Sequence, residues 1–169
     1  MPIFLQPVAP FILNNEAFGF AGGAGTTAAV AGSAILCSAI VRAPITLTQM
    51  RMVFSGAVTG NVDMGIYDSS GAGKNPGNLL GHTGALAATT GLFTKNLTAN
   101  LPLSPGQYWL AFIDTAADQY WSASQSTAGI VTAMKTTSTA LTVLPATIGA
   151  IADYNVSPAL CGLILNGWS

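Results

Sequence analysis

Few side chains in this sequence are equipped for chemistry, and they are scattered. His82 is the only histidine, set between Gly81 and Thr83. A general base or a metal site needs an acid, a cysteine or another histidine held beside it, and none lies near His82 in sequence, so it reads as a polar residue on a short strand. The six acids, Glu16, Asp63, Asp68, Asp114, Asp118 and Asp153, are spread along the chain. Asp63 and Asp68 precede a loop rich in carbonyls, but the regularly spaced oxygen ligands of a calcium loop are missing. Nothing singles out two acids as a glycosidase pair. No GxSxG, HExxH, CxxC or phosphate-loop pattern occurs. The expectation is a non-enzymatic chain with no catalytic residues, no metal and no cofactor.

Aromatic side chains are the next candidates. Trp109, Tyr120 and Trp121 are candidate surface contacts, able to stack on a sugar, although core and interface packing is the commoner use of large aromatics. Trp168, near the C-terminal end, either folds back onto its own domain or anchors in a neighbour. Cys37 and Cys161 read as small buried apolar residues, or as a disulfide should the first and last strands be neighbours.

The composition surrounding these residues is unusual. Charged residues make up 7% of the 169, against about 25% in an ordinary soluble domain, while 50% are hydrophobic. Either the chain lives in a membrane or other subunits cover much of its surface. The best candidate for a membrane span, residues 19–41, is dominated by Gly, Ala, Thr and Ser, whereas a spanning helix wants about 20 residues rich in Leu, Ile, Phe and Val. No membrane span is expected. A net charge of −1 offers no basic field for nucleic acid. The start, Met1-Pro2-Ile3-Phe4, lacks the basic region of a secretion signal, and Pro7 and Pro10 interrupt its apolar run, so synthesis in the cytoplasm is expected.

Residues 1–33 differ from the rest. Ile3, Phe4, Leu5, Val8, Phe11, Ile12, Leu13, Phe18 and Phe20 alternate with prolines that forbid a regular helix, and residues 19–33 form a small-residue spacer. This predicts an extended apolar arm that grips a neighbouring subunit, or else a first strand of the chain's own sheet. Residues 34–169 read as one β domain. Strands are expected over 35–42, 45–54, 61–68, 79–86, 92–97, 107–113, 120–123, 130–135, 141–144 and 160–165. In 45–54, Thr46, Thr48, Met50, Met52 and Phe54 should share one face and Arg51 should lie on the other, partly wet or against a partner. In 61–68, Val62, Met64 and Ile66 should oppose Asp63, Gly65 and Tyr67. Short strands separated by turn signals predict an all-β, antiparallel two-sheet sandwich.

Three phrases carry a resemblance. The run from Pro44 to Thr48, the run Gly60-Asn61-Val62-Asp63-Met64-Gly65-Ile66-Tyr67-Asp68 with its loop ending in Asn75-Pro76-Gly77, and the run Leu101-Pro102-Leu103-Ser104-Pro105-Gly106-Gln107-Tyr108-Trp109-Leu110-Ala111 are similar to a jelly-roll module common in tailed-bacteriophage structural proteins. Bacterial sugar-binding and adhesion modules share some of these phrases. The resemblance covers residues 44–113 and implies a jelly-roll sandwich residing on a virion. Capsid decoration (cement) is the first expectation, with the major capsid protein or other virion proteins as partners. A receptor- or glycan-binding module of a tail fibre or baseplate is the alternative. The resemblance also implies a homo-oligomer, a trimer by preference.

Overall fold

The computed structural model describes residues 24–123, 133–154 and 161–165. They form two antiparallel sheets packed face to face, the all-β sandwich expected from the strand pattern. The strands in chain order are β1 (Ala24–Ala28), β2 (Ala34–Val41), β3 (Ile45–Phe54), β4 (Asn61–Asp68), β5 (Leu79–His82), β6 (Leu86–Ala87), β7 (Gly91–Leu103), β8 (Gly106–Asp114), β9 (Gln119–Ala123), β10 (Ala133–Thr136), β11 (Ile151–Tyr154) and β12 (Cys161–Leu165). A five-stranded sheet runs β1-β9-β3-β12, with β7 also paired to β3; a seven-stranded sheet runs β11-β10-β2-β8-β4-β5, with β6 also paired to β4. The chain passes from sheet to sheet at nearly every early connection, so the sheets are built together rather than one after the other.

Alternation builds the main core. Met50, Met52 and Phe54 of β3 face Val62, Met64 and Ile66 of β4 and Leu110 and Phe112 of β8 across the sandwich, and Tyr120 closes it. Phe112 meets Tyr120 edge to face at 5.0 Å, the arrangement that the ring quadrupoles favour. Thr46 does not join this row as the alternation of β3 predicts, whereas Thr48 is buried. Gln49 pairs with Asn96 but Leu47 pairs with Leu101, so β7 carries extra residues opposite Thr48. This bulge rotates the start of β3 and brings Leu47 into the core in place of Thr46, which is exposed.

A second core lies on the far side of the seven-stranded sheet. Ala34 and Leu36 of β2, Tyr67 of β4 and Trp109, Ala111 and Ile113 of β8 pack with Leu144 and, at its rim, Leu79, Leu141, Ile148 and Ile151. The cover is an irregular strap, residues 137–150. Both faces of β2, β4 and β8 are therefore buried, which explains their nearly unbroken burial. Residues 141–144 are in this strap and not in the strand that their apolar run predicts: Leu141 donates its N–H to the Gly32 carbonyl outside any ladder, and Pro145 follows Leu144 immediately.

Other boundaries shift. The sandwich takes in Ala24–Ala28, which pairs with Gln119–Ala123 along its full length, so the expected boundary at residue 33 falls inside the folded domain. These small residues pair in a regular ladder, and Ala29 just beyond them is buried and donates its N–H to the Asp118 carbonyl at 2.9 Å. The single strand expected over 79–86 is two short ones, β5 and β6. β7 extends to Leu103 through Pro102, and among the described residues it pairs only with β3. An edge position tolerates proline's missing donor.

Candidate functional site

Three groups of polar side chains are built into the described fold. The first centres on Asp63. It lies on the face of β4 opposite Met64 and is completely buried. Its carboxylate accepts the Leu144 N–H of the strap at 2.9 Å, the Thr83 hydroxyl at 3.3 Å and faces His82 Nδ1 at 2.9 Å. Thr83 Oγ1 in turn accepts the Met64 N–H at 3.0 Å. Next to it, Gly65 leaves room for the strap, since a Cβ there would stand 2.6 Å from Leu144 Cδ1. Two residues on, the Tyr67 hydroxyl donates to the Pro145 carbonyl at 2.6 Å. Burial, reinforced by the Asp63 charge, pushes the Tyr67 phenol well above its ordinary pKa, so it stays a donor. Asp63, Gly65 and Tyr67 thus form a clasp for the strap.

His82 was expected to stand alone, and the missed partner is Asp63. The signal was present in the sequence: folding 61–68 against 79–86 across the Asn75-Pro76-Gly77 turn brings Asp63 near His82, and Gly65 is opposite His82 in the ladder. A carboxylate on Nδ1 fixes the ring, as in catalytic and metal-binding histidines. Here, among the described residues, no hydroxyl or thiol is hydrogen-bonded to the ring, and no three His, Cys, Asp or Glu side chains group as a metal site.

The second group ties the ends of the strands together. The Asp118 carboxylate accepts the N–H groups of Thr59 and Gly60, both at 3.0 Å, and the Thr59 hydroxyl at 3.2 Å. Asp114, fully buried, accepts the N–H groups of Ala116 at 3.0 Å and Asp118 at 3.2 Å. Burial, with the neighbouring Asp118 charge, raises the Asp114 carboxyl to about 6 against the pull of those N–H donors. The third group organises the 69–78 loop. Asp68 accepts from Ser70 and Asn78, backbone and side chain. Burial would raise its carboxyl, but these hydrogen bonds outweigh that and hold it at about 2. All three groups are spent on holding the chain together.

The expected aromatic contacts resolve differently. Trp109 is not a surface residue: it is 3% exposed, packs in the second core and donates its indole N–H to the Lys74 carbonyl at 2.9 Å. Lys74 adopts φ 68°, a left-handed conformation that costs a non-glycine residue about 1 kcal/mol, and the Trp109 bond rewards that turn. Tyr120 is 1% exposed in the main core. Both are buried because their strands alternate into a core on the face where they sit. Trp121 lies on β9 in register with Thr26. Cys37 is buried on β2, and Cys161 is on β12 in the other sheet, so their strands are not ladder neighbours. The arm residues Ile3 to Phe20 and Trp168 lie outside the described residues.

Among the described residues, β3 and β7 line the outer face of the five-stranded sheet with a mixed set of side chains. On β3 the residues alternating with Met50, Met52 and Phe54 are Gln49, Arg51 and Val53, all half-buried. Their partners on β7 are Asn96, Thr94 and Leu92. Gln49 donates to Asn96 at 2.7 Å, and Leu92 is 59% exposed. Arg51 lies on this face as expected. Among the described residues, both apolar clusters lie elsewhere, between the sheets and under the strap. No described helix is long and apolar enough to cross a membrane. Comparison with protein-family models and with curated proteins finds no match.

Proposed function

We propose that this chain is a bacteriophage virion structural protein, a capsid decoration protein that attaches to the shell by apolar burial. The observation that carries this reading is its shortage of surface charge. Of six acids, Asp63, Asp114 and Asp118 are buried inside the fold, which leaves at most five Lys and Arg and three acidic side chains for the exterior. A free monomer with so little charge has poor colloidal protection, so subunit contacts are the natural use of its surface. The strap accounts for the apolar runs of β2, β4 and β8, but it also buries one of those acids and so sharpens the shortage.

Attachment is by adhesion. The apolar side chains Ile3, Phe4, Leu5, Val8, Phe11, Ile12, Leu13, Phe18 and Phe20 would each contribute about 1.5–3 kcal/mol when fully covered by a neighbour, before the cost of association. The partners are the major capsid protein or other virion proteins and further copies of this chain, as a trimer. Nucleic acid, membrane, metal and cofactor have no part in this reading. The receptor- or glycan-binding alternative drew on Trp109, Tyr120 and Trp121; with the first two buried, no stacking platform made of these three residues supports it. Quantitative mass spectrometry of purified particles tests the proposal. Many copies per particle are expected, whereas a handful would move the chain to the tail.

A further inference from the structure

We infer that the outer face of the five-stranded sheet is the seat for the N-terminal segment of a neighbouring copy, with that copy's Glu16 against Arg51. The inference rests on the virion reading, since it names the surface that receives the arm. Three observations carry it.

The first is reach. Residues 1–23 lead into Ala24, the start of β1, which belongs to the same sheet as that outer face. Extended, such a segment spans at most roughly 75–80 Å. Five strands at about 4.8 Å make a sheet only about 20 Å wide. The segment is far longer than one face needs, and it can cross to a neighbour.

The second is charge. Glu16 is the only charged side chain before Arg42. Among the β3 and β7 residues that line the face, namely Gln49, Arg51, Val53, Leu92, Thr94 and Asn96, Arg51 is the only charged one. One acid on the arm meets one base on the face.

The third is the chain's own precedent. The other outer face is covered by residues 137–150, an irregular segment without a charged side chain that sets Leu141, Leu144 and Ile148 onto a sheet. The arm has the same chemistry, proline-containing and apolar. Val53 and Leu92 offer it apolar contacts, and Gln49, Thr94 and Asn96 offer side-chain partners for an extended backbone. A neighbour's arm, rather than the chain's own, also accounts for the shortage of surface charge, because each contact then hides surface between subunits.

Cysteine pairing tests this in the full-length chain. Glu16→Cys and Arg51→Cys are made as single variants and coexpressed, with the unaltered chain controlling for Cys37 and Cys161. After oxidation, a covalent dimer whose linked peptides contain positions 16 and 51 is expected from the coexpressed pair and from neither variant alone. A folded pair that gives no 16–51 link overturns the inference. So does a double variant that links 16 to 51 only within monomers, which would make the face the seat of the chain's own arm. A charge exchange gives an independent reading: Glu16→Arg and Arg51→Glu should each weaken self-association about fivefold by light scattering, and the double exchange should restore it. Single exchanges without effect also overturn it. The virion reading fails separately, by copy number: a 16–51 link in a protein that particles lack would leave this contact standing and remove the virion.

Discussion

The two outer faces of the sandwich were given opposite treatments. On the seven-stranded sheet the residues facing away from the main core are Leu36, Tyr67, Trp109, Ala111 and Ile113, and the chain covers them with its own strap. On the five-stranded sheet the equivalent positions of β3 are Gln49, Arg51 and Val53, and β7 adds Leu92, Thr94 and Asn96. A sheet buried on both sides reads as a continuous apolar run, whereas one covered on a single side alternates. The difference teaches that an apolar strand pattern alone does not mark an interface, because the molecule can satisfy it internally; on the proposed reading, the mixed face with Arg51 and the exposed Leu92 is the one that receives another chain.

The strongest way to break this contrast is to open the clasp. Asp63→Ala removes the acceptor for the buried Leu144 N–H and Thr83 hydroxyl, and the partner of the half-buried His82. It should cost about 3–5 kcal/mol, read as a lower urea midpoint. A loss under about 1 kcal/mol would mean that the strap is held by packing alone. Leu144→Ala tests that packing and should cost about 2–4 kcal/mol, with the near-ultraviolet signal of Trp109 changing as the second core loosens.

The Asp114 carboxyl gives a pH signature of intermediate size. Its pKa is raised in the folded state to about 6, above the ordinary aspartate value of about 3.9. Below both values the protonated form is common to folded and unfolded chains. Between about 4 and 6 the folded chain holds the extra proton, so stability declines as pH rises through this window, by on the order of 2 kcal/mol. Asp114→Asn should flatten that decline in thermal melts recorded from pH 4 to 7. Asp68 works in the opposite sense, its lowered carboxyl favouring the fold above its unfolded value and losing that effect as pH falls toward 2. A slope unchanged in the Asp114 variant would assign the decline to another group.

The smallest stability effect belongs to the outer face of the five-stranded sheet. Val53→Ser with Leu92→Ser should shift folding stability by no more than about 0.5 kcal/mol per site, yet sharply reduce incorporation into particles. If the pair instead unfolds the chain, the face is part of the core and the contrast between the two sheets collapses.

Much of this architecture was legible from residue order. β3 and β4 have the predicted limits, because alternation over 45–54 and 61–68 is a local property of those residues. The opposition of Val62, Met64 and Ile66 to Asp63, Gly65 and Tyr67 was equally plain. What could not be read was tertiary. The bulge opposite Thr48 depends on extra residues of β7. The clasp joins Asp63 to Leu144 across 81 positions, and a four-residue apolar run such as 141–144 looks the same whether it pairs in a ladder or lies across a sheet. Trp109 and Tyr120 looked available because nothing local revealed a second core or the packing of Phe112 on Tyr120.

The strap also sets an order of events during synthesis. Its anchors are Gly32, Ser33, Asp63 and Tyr67 in the first half of the chain and residues 138–145 near the other end, separated by 78 to 109 positions where hydrogen bonds join them. At about 5–20 residues per second, several seconds elapse on the ribosome between the emergence of Leu36 or Tyr67 and that of Leu144. For that interval the apolar back of β2, β4 and β8 has no lid. The nascent chain must be kept from its neighbours until the strap arrives, and at high expression that interval, rather than the finished fold, is where the chain is most exposed to aggregation.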